Sequence, residues 1–259
     1  MASAANVMPM DPAPSPPNPS PANALPAKHW RADAVVLFVC GVLIACTGVS
    51  LALTAVARAV APQSEVARIV ANQLALQLPV IVGAHFFLRF HGTGWRVGVG
   101  FRRVPRAWWL GAAAGVVAVL VGYPLQYAAG KLIVWAGGHP AEQEAVRLIA
   151  RAGTGERFLL AIVAIGGAAF AEEILFRGIL YQSLRDAGFR RVAYWGMAIF
   201  FGAIHLNLAA FLPLALFGAL LAWLYEKTGT LGAGIAAHAA FNLAGFLAAV
   251  FSGTPAPAP

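Results

Sequence analysis

The sequence predicts an all-α fold: a polytopic transmembrane helix bundle of about seven spans, or eight if one long apolar run divides, with an active site inside the bundle. Two observations give the class. Of 259 residues, 60% are hydrophobic and 11% charged, with mean hydropathy +0.73, whereas a soluble domain carries about 25% charged residues. The apolar residues also gather into runs long enough to cross a hydrocarbon core of about 30 Å. A third observation locates function. Glu172 and Glu173 are adjacent in RFLLAIVAIGGAAFAEEILFRGILYQSL, a stretch that otherwise reads as a span. A carboxylate at the bilayer centre costs about 2.5–3.5 kcal/mol on insertion scales, so such groups normally face a bundle interior and mark a site.

Residues 1–27 are rich in Pro, Ala, Ser and Asn and read as a disordered tail, as does SGTPAPAP over 252–259. The first apolar run starts only near Ala34, after a long Pro-rich segment, which argues against a secretory signal. Between the tails, residues 28–251 form the transmembrane domain, with expected spans at 34–57, 67–89, 107–135, 158–182, 191–207, 209–226 and 230–251. Pro124, in GYPLQY, is where the third run would bend or break. The fifth and sixth spans join through the uncharged HLNLAAF. AEQEAVRLIARAG, ahead of the fourth, reads as a short amphipathic helix at the interface.

The net charge of +8 comes from basic residues scattered between apolar runs, with no basic stripe interleaved with aromatics, so nucleic acid is not an expected partner. With the N-terminus inside, Lys28, Arg31, Arg89, Arg96, Arg102, Arg103, Arg106, Arg185, Arg190, Arg191 and Lys227 lie on the cytoplasmic side. The opposite side holds Arg58, Arg68, Lys131, Arg147, Arg151 and Arg157. That bias favours a cytoplasmic N-terminus. Cys40 and Cys46 share the first run, outside any CxxC or Cys/His cluster, and read as small apolar residues. Tyr123, Tyr127, Trp108, Trp109, Trp135 and Trp195 suit aromatic belts.

Three more polar residues fall within expected spans: His205 in FFGAIHL, and His238 and Asn242 in AAHAAFNLAG, four apart and so on one helical face. At 1.5 Å per residue, Glu172 lies roughly 20 Å from Arg185, His205 roughly 21 Å from Arg191, and His238 and Asn242 roughly 16 and 22 Å from Lys227. Their depths agree. The small residues of GGAAFAEE and GAGIAAHAA allow close helix approach around the same groups.

A carboxylate beside a histidine can hold and deprotonate a water, the attacking step of peptide hydrolysis. Glu173 and Arg177 are four apart and form the natural ion pair; Glu172, about 100° around the helix, is then free to act as the base. His238 and Asn242 can donate to a developing oxyanion, worth about 2.7–4 kcal/mol per donor. Zinc is the competing reading, with Glu172, His205 and His238 as ligands and water in the fourth position. There is no HExxH, and each ligand would come from a different helix, so a metal-free, glutamate-activated water is favoured and no cofactor is expected.

EEILFR (Glu172–Arg177) resembles the EExxxR motif, FGAIH (Phe201–His205) the FxxxH motif, and HAAFN (His238–Asn242) the HxxxN motif of the CAAX-protease and bacteriocin-processing (CPBP, or Abi) family. The ordered trio is far more specific than any one motif. The similarity covers about residues 150–250, and GWRVGVGFRR resembles the basic loop that precedes the family core. The resemblance implies an intramembrane endopeptidase in which Glu172 and His205 position the attacking water. It implies that His238 and Asn242 stabilise the oxyanion, with Glu173, Arg177 and Phe201 in support. Expected partners are membrane lipid and a peptide or membrane-protein substrate. High Ala and Gly content with short loops suggests a bacterial plasma membrane.

The alternatives are a non-proteolytic immunity or scaffold protein of the same fold, and a proton-coupled transporter, which should show inverted repeats that are absent here. Other polar residues read as unconnected with the site: His85, His91, Asn72, Gln73 and Gln77 on or near the second span, and His139 in a loop. Asn207, close after His205, is a candidate support for it.

Overall fold

The computed structural model describes residues 30–140 and 144–251, so the two expected tails lie outside the described residues. Those residues form an all-α bundle with six helices long and apolar enough to cross a membrane, plus one shorter apolar helix. Helix α1 (Ala32–Val60) and α2 (Glu65–Phe90) make the first hairpin, and the Ser64 hydroxyl caps α2 by accepting from Ala67 N at 3.1 Å. Only 11% of the most apolar window of α1 is buried, so α1 is peripheral.

Helix α3 (Pro105–Trp135) runs through Pro124 without a break, so the third apolar run is one span. It packs tightly on the last helix. A methyl group at Gly111 or Gly115 would run into the backbone carbonyl of Ala233 or Ala237, so glycine is required for this approach. The short helix α4 (Glu144–Arg151) buries Leu148 and Ile149 in a cluster with Val66, Leu160 and Ala249, an amphipathic helix where one was expected, although residues 141–143 of that segment lie outside the described residues.

Helix α5 (Thr154–Asp186) is a continuous 33 residues, about 50 Å at the α-helical rise. Two stretches, Ile162–Gly167 and Ile174–Tyr181, are wound as π-helix and flank the Glu172–Glu173 pair. Helix α6 (Val192–Ala203) is shorter than the span expected at 191–207. The chain leaves the helix because Leu206 takes a left-handed φ of 51° and the Asn207 side chain accepts from Ala210 N at 3.1 Å, opening the next helix. His205 thus lies in a turn within the apolar region. Helix α7 (Leu208–Thr228) ends at Gly229 with φ of 64°, a left-handed stop. Helix α8 (Leu231–Phe251) completes the bundle. The α7 window is 56% buried, which makes α7 the central helix.

The basic loop between α2 and α3 is bonded to the bundle through its own carbonyls. Gly98 O accepts from Gln182 Nε2 (3.2 Å), Val99 O from Tyr225 OH (3.1 Å), Gly100 O from Leu231 N (3.1 Å) and Arg102 O from Thr230 Oγ1 (2.9 Å). Gln182, Tyr225 and Thr230 are fully buried, so the loop closes that end of the bundle. Trp109, Trp135, Trp195 and Tyr127 are exposed as belt residues should be, whereas Trp108 is half-buried against Gly232.

Candidate functional site

Glu173 is fully buried on α5, one helical turn before Arg177. Arg177 Nη1 lies 2.9 Å from Glu173 Oε1, and Nη2 donates to Gly218 O of α7 at 2.9 Å. The guanidinium also stands 4.9 Å from the centre of the Phe201 ring, a cation–π distance. One charged side chain therefore ties α5 to α6 and α7. Gly218 allows this closeness, because a Cβ there would stand 3.0 Å from Ala198 Cα and 3.3 Å from Phe201 Cβ.

His238 of α8 is bracketed by the two carboxylates. Its Nδ1 is 3.1 Å from Glu173 Oε1, and its Nε2 is 3.8 Å from Glu172 Oε2. Phe201 and Phe217 meet the imidazole edge-on, with ring centres at 5.6 and 5.7 Å. Gly234, one turn earlier on α8, makes room for the carboxylate: a Cβ there would lie 2.8 Å from Glu173 Oε2. Glu172 retains 18% side-chain exposure. The Oε2 atoms of both glutamates are buried without a hydrogen-bond partner. Unsatisfied acceptors of this kind, each costing about 1–3 kcal/mol, are places where water or a substrate group belongs.

Tautomers follow from the partners. Phe201 O can only accept, so His205 Nδ1, at 2.7 Å, must be the protonated nitrogen, and neutral His205 keeps a free lone pair on Nε2. An ionised Glu173 likewise draws a proton to His238 Nδ1, which leaves His238 Nε2 facing Glu172 Oε2. With a neutral imidazole and an ionised Glu172, two acceptors would oppose each other. A proton on His238 Nε2 would remove that opposition.

The His205 ring is exposed and stands 5.0 Å from Phe201, making Phe201 a common neighbour of both histidines. Asn242 Nδ2 donates to Ala164 O on α5 at 2.8 Å, which engages one of its two N–H groups. The structure thus gathers Glu172, Glu173, Arg177, Phe201 and His238 into direct contact. It sets His205 beside Phe201 and ties Asn242 to the Glu-bearing helix. Among the described residues no group of three or more His, Cys, Asp or Glu side chains is arranged to hold a metal ion.

The lesser polar residues are elsewhere, with one exception. His85 accepts from Trp95 Nε1 at 3.3 Å, His91 is bonded to Phe87 O at 2.8 Å, and His139 and Asn72 are exposed. Asn207 is a helix cap. The exception is Gln77, buried on α2, whose Nε2 donates to Val163 O of α5 at 2.8 Å, beside the carbonyl that Asn242 holds. An amide amid the apolar residues of ANQLALQLPV was its only signal in the sequence, shared with Asn72 and Gln73 of the same run.

Residues 154–244 match the family model described as type II CAAX prenyl endopeptidase Rce1-like. The match runs from the start of α5 into α8 and covers every residue of the three motifs. It bears out the resemblance to the CAAX-protease family. No curated protein and no solved structure matches the chain.

Proposed function

Starting from that match to CAAX prenyl endopeptidases, we propose that this integral membrane protein hydrolyses peptide bonds with a water activated by Glu172 and His205. The observation that carries the reading is the bracketed imidazole, with the orphaned oxygen of Glu172, on a side chain that keeps 18% exposure, on one side and a buried Glu173–Arg177 pair behind it. A water bound by Glu172 Oε2 and His205 Nε2 loses a proton as its oxygen attacks the scissile carbonyl carbon. The carbonyl oxygen becomes an oxyanion, stabilised by His238 protonated at Nε2 and by the second N–H of Asn242. Collapse breaks the C–N bond. The proton taken from water then passes to the departing amine, so the site ends as it began. Glu173 and Arg177 never touch substrate in this scheme; they fix the His238 ring.

The substrate class is a peptide segment that approaches from the lipid. A small apolar crevice of about 170 Å³ between α3 and α7 has Phe217 in its wall, the same ring that meets His238. The charge bias supports a cytoplasmic N-terminus.

The test is cleavage of candidate peptides by the purified, detergent-solubilised chain and its Glu172→Gln variant, with and without chelator. Cleavage by the wild type, lost in the variant and indifferent to chelator, is expected. Chelator-sensitive cleavage overturns the metal-free mechanism. Full biological activity in well-expressed Glu172→Gln and His205→Ala variants overturns the peptidase in favour of a binding role.

A further inference from the structure

Helix α5 does not approach Glu172 as a regular α-helix. Its π-helical stretch Ile162–Gly167 ends five residues before that carboxylate, and π turns are uncommon and frequent at functional sites. Two side-chain amides from two other helices grip this stretch. Gln77 of α2 donates to Val163 O at 2.8 Å, and Asn242 of α8 donates to Ala164 O at 2.8 Å. Val163 O also accepts from Ala168 N, so the carbonyl is doubly used and held on both sides. Gly167 completes the clamp, because a Cβ there would collide with the Gln77 carboxamide. Gln77 is 3% exposed. A buried amide in a span is retained against its desolvation cost only where it is bonded.

We infer that Gln77 is a positioning residue for the site: by binding Val163 O it holds the widened turn, and the next carbonyl, Ala164 O, then fixes the Asn242 carboxamide with one N–H free for the substrate. The inference rests on the peptidase reading above. Gln77 lies outside the three motifs and outside the matched segment 154–244, on a helix that precedes the core in sequence. It acts through Asn242 and does not itself meet the reactants. An Asn242 amide free to rotate would donate to the oxyanion in only part of its orientations.

Gln77→Met removes the donor at nearly constant volume. Turnover should fall by about 10- to 100-fold, the effect of misplacing a group by about an ångström, while KM stays within about twofold, since the lost contact belongs to the transition state. Gly167→Ala should give the same split by pushing the Gln77 carboxamide aside, and it tests the clamp should Gln77→Met fold poorly. The decisive measurement is a cycle with Asn242→Ala. In that background Gln77→Met should cost no further turnover, because the residue it positions is gone. Equal losses in both backgrounds mean that Gln77 only stabilises the bundle, and unchanged turnover in Gln77→Met means that it does nothing for the site; either result overturns the inference. Equal cleavage by Glu172→Gln and the wild type overturns the peptidase reading itself, a result distinct from both.

Discussion

Replacing Arg177 by Met tests how the buried charges of the site are balanced. Arg177 is 1% exposed, and its guanidinium has three partners: Glu173 Oε1 at 2.9 Å, Gly218 O at 2.9 Å and the Phe201 ring at 4.9 Å. Methionine fills much of the space of the stem but leaves Glu173, which is fully buried, with His238 as its remaining side-chain partner. Breaking a buried pair by removing one member costs about 3–5 kcal/mol, most of it the stranded charge. For a chain of this size about 1 kcal/mol corresponds to about 2–4 °C, so the midpoint of thermal unfolding in detergent should fall by about 6–20 °C. The control is the double replacement Arg177→Met with Glu173→Gln. Removing the stranded charge should recover more than half of the loss, because the pair contributes less than its breakage costs. Arg177→Lys should recover less, since a single ammonium cannot reach both Glu173 Oε1 and Gly218 O in the fork geometry of a guanidinium. A loss below about 1 kcal/mol for Arg177→Met, the range of an exposed ion pair, would refute the buried-pair account. So would a double variant no more stable than the single one.

Other consequences are independent of that pair. His205→Ala should reduce turnover by about 100- to 10,000-fold, the range for a lost acid–base group, and leave thermal unfolding nearly unchanged because the ring is exposed. A large destabilisation would make the residue structural. Asn207→Ala removes the cap on α7 and should cost about 0.5–2 kcal/mol, read by thermal unfolding, together with a fall in turnover because the turn carrying His205 loosens. Gly111→Ala places a methyl group against the Ala233 carbonyl; it should cost about 1–3 kcal/mol by overpacking, read the same way. Alanine at Gly41, where a Cβ would meet no atom within 4 Å, should be neutral.

Most of the framework was legible in the sequence because hydropathy is a strong, local signal. Six expected spans appear as long helices with ends shifted by a few residues. The ion pair between Glu173 and Arg177 follows from their spacing alone, and the small residues at Ala233 and Ala237 do pack where close approach was expected. The fifth span is where local reading stopped short. Apolar character continues through Ile204 and Leu208, so the run looks long, but its end is set by the positive φ of Leu206 and the cap made by Asn207. The role of Gln77 was hidden for another reason. Its partner carbonyl is 86 positions away and is offered by a π turn, a backbone irregularity that composition does not signal.

Why two carboxylates rather than one is explained by their shared imidazole. Successive residues on a helix point about 100° apart, so Glu172 and Glu173 can flank a single ring brought in by α8, one at each nitrogen. Glu173 is neutralised by Arg177, whose Nη1 stands 2.9 Å from its Oε1. A net charge of zero is what a low-dielectric interior tolerates. A lone glutamate beside His238 could meet only one of the ring's two nitrogens. Adjacent glutamates put one carboxylate at each nitrogen of the ring, and the four-residue spacing to Arg177 decides which one is held.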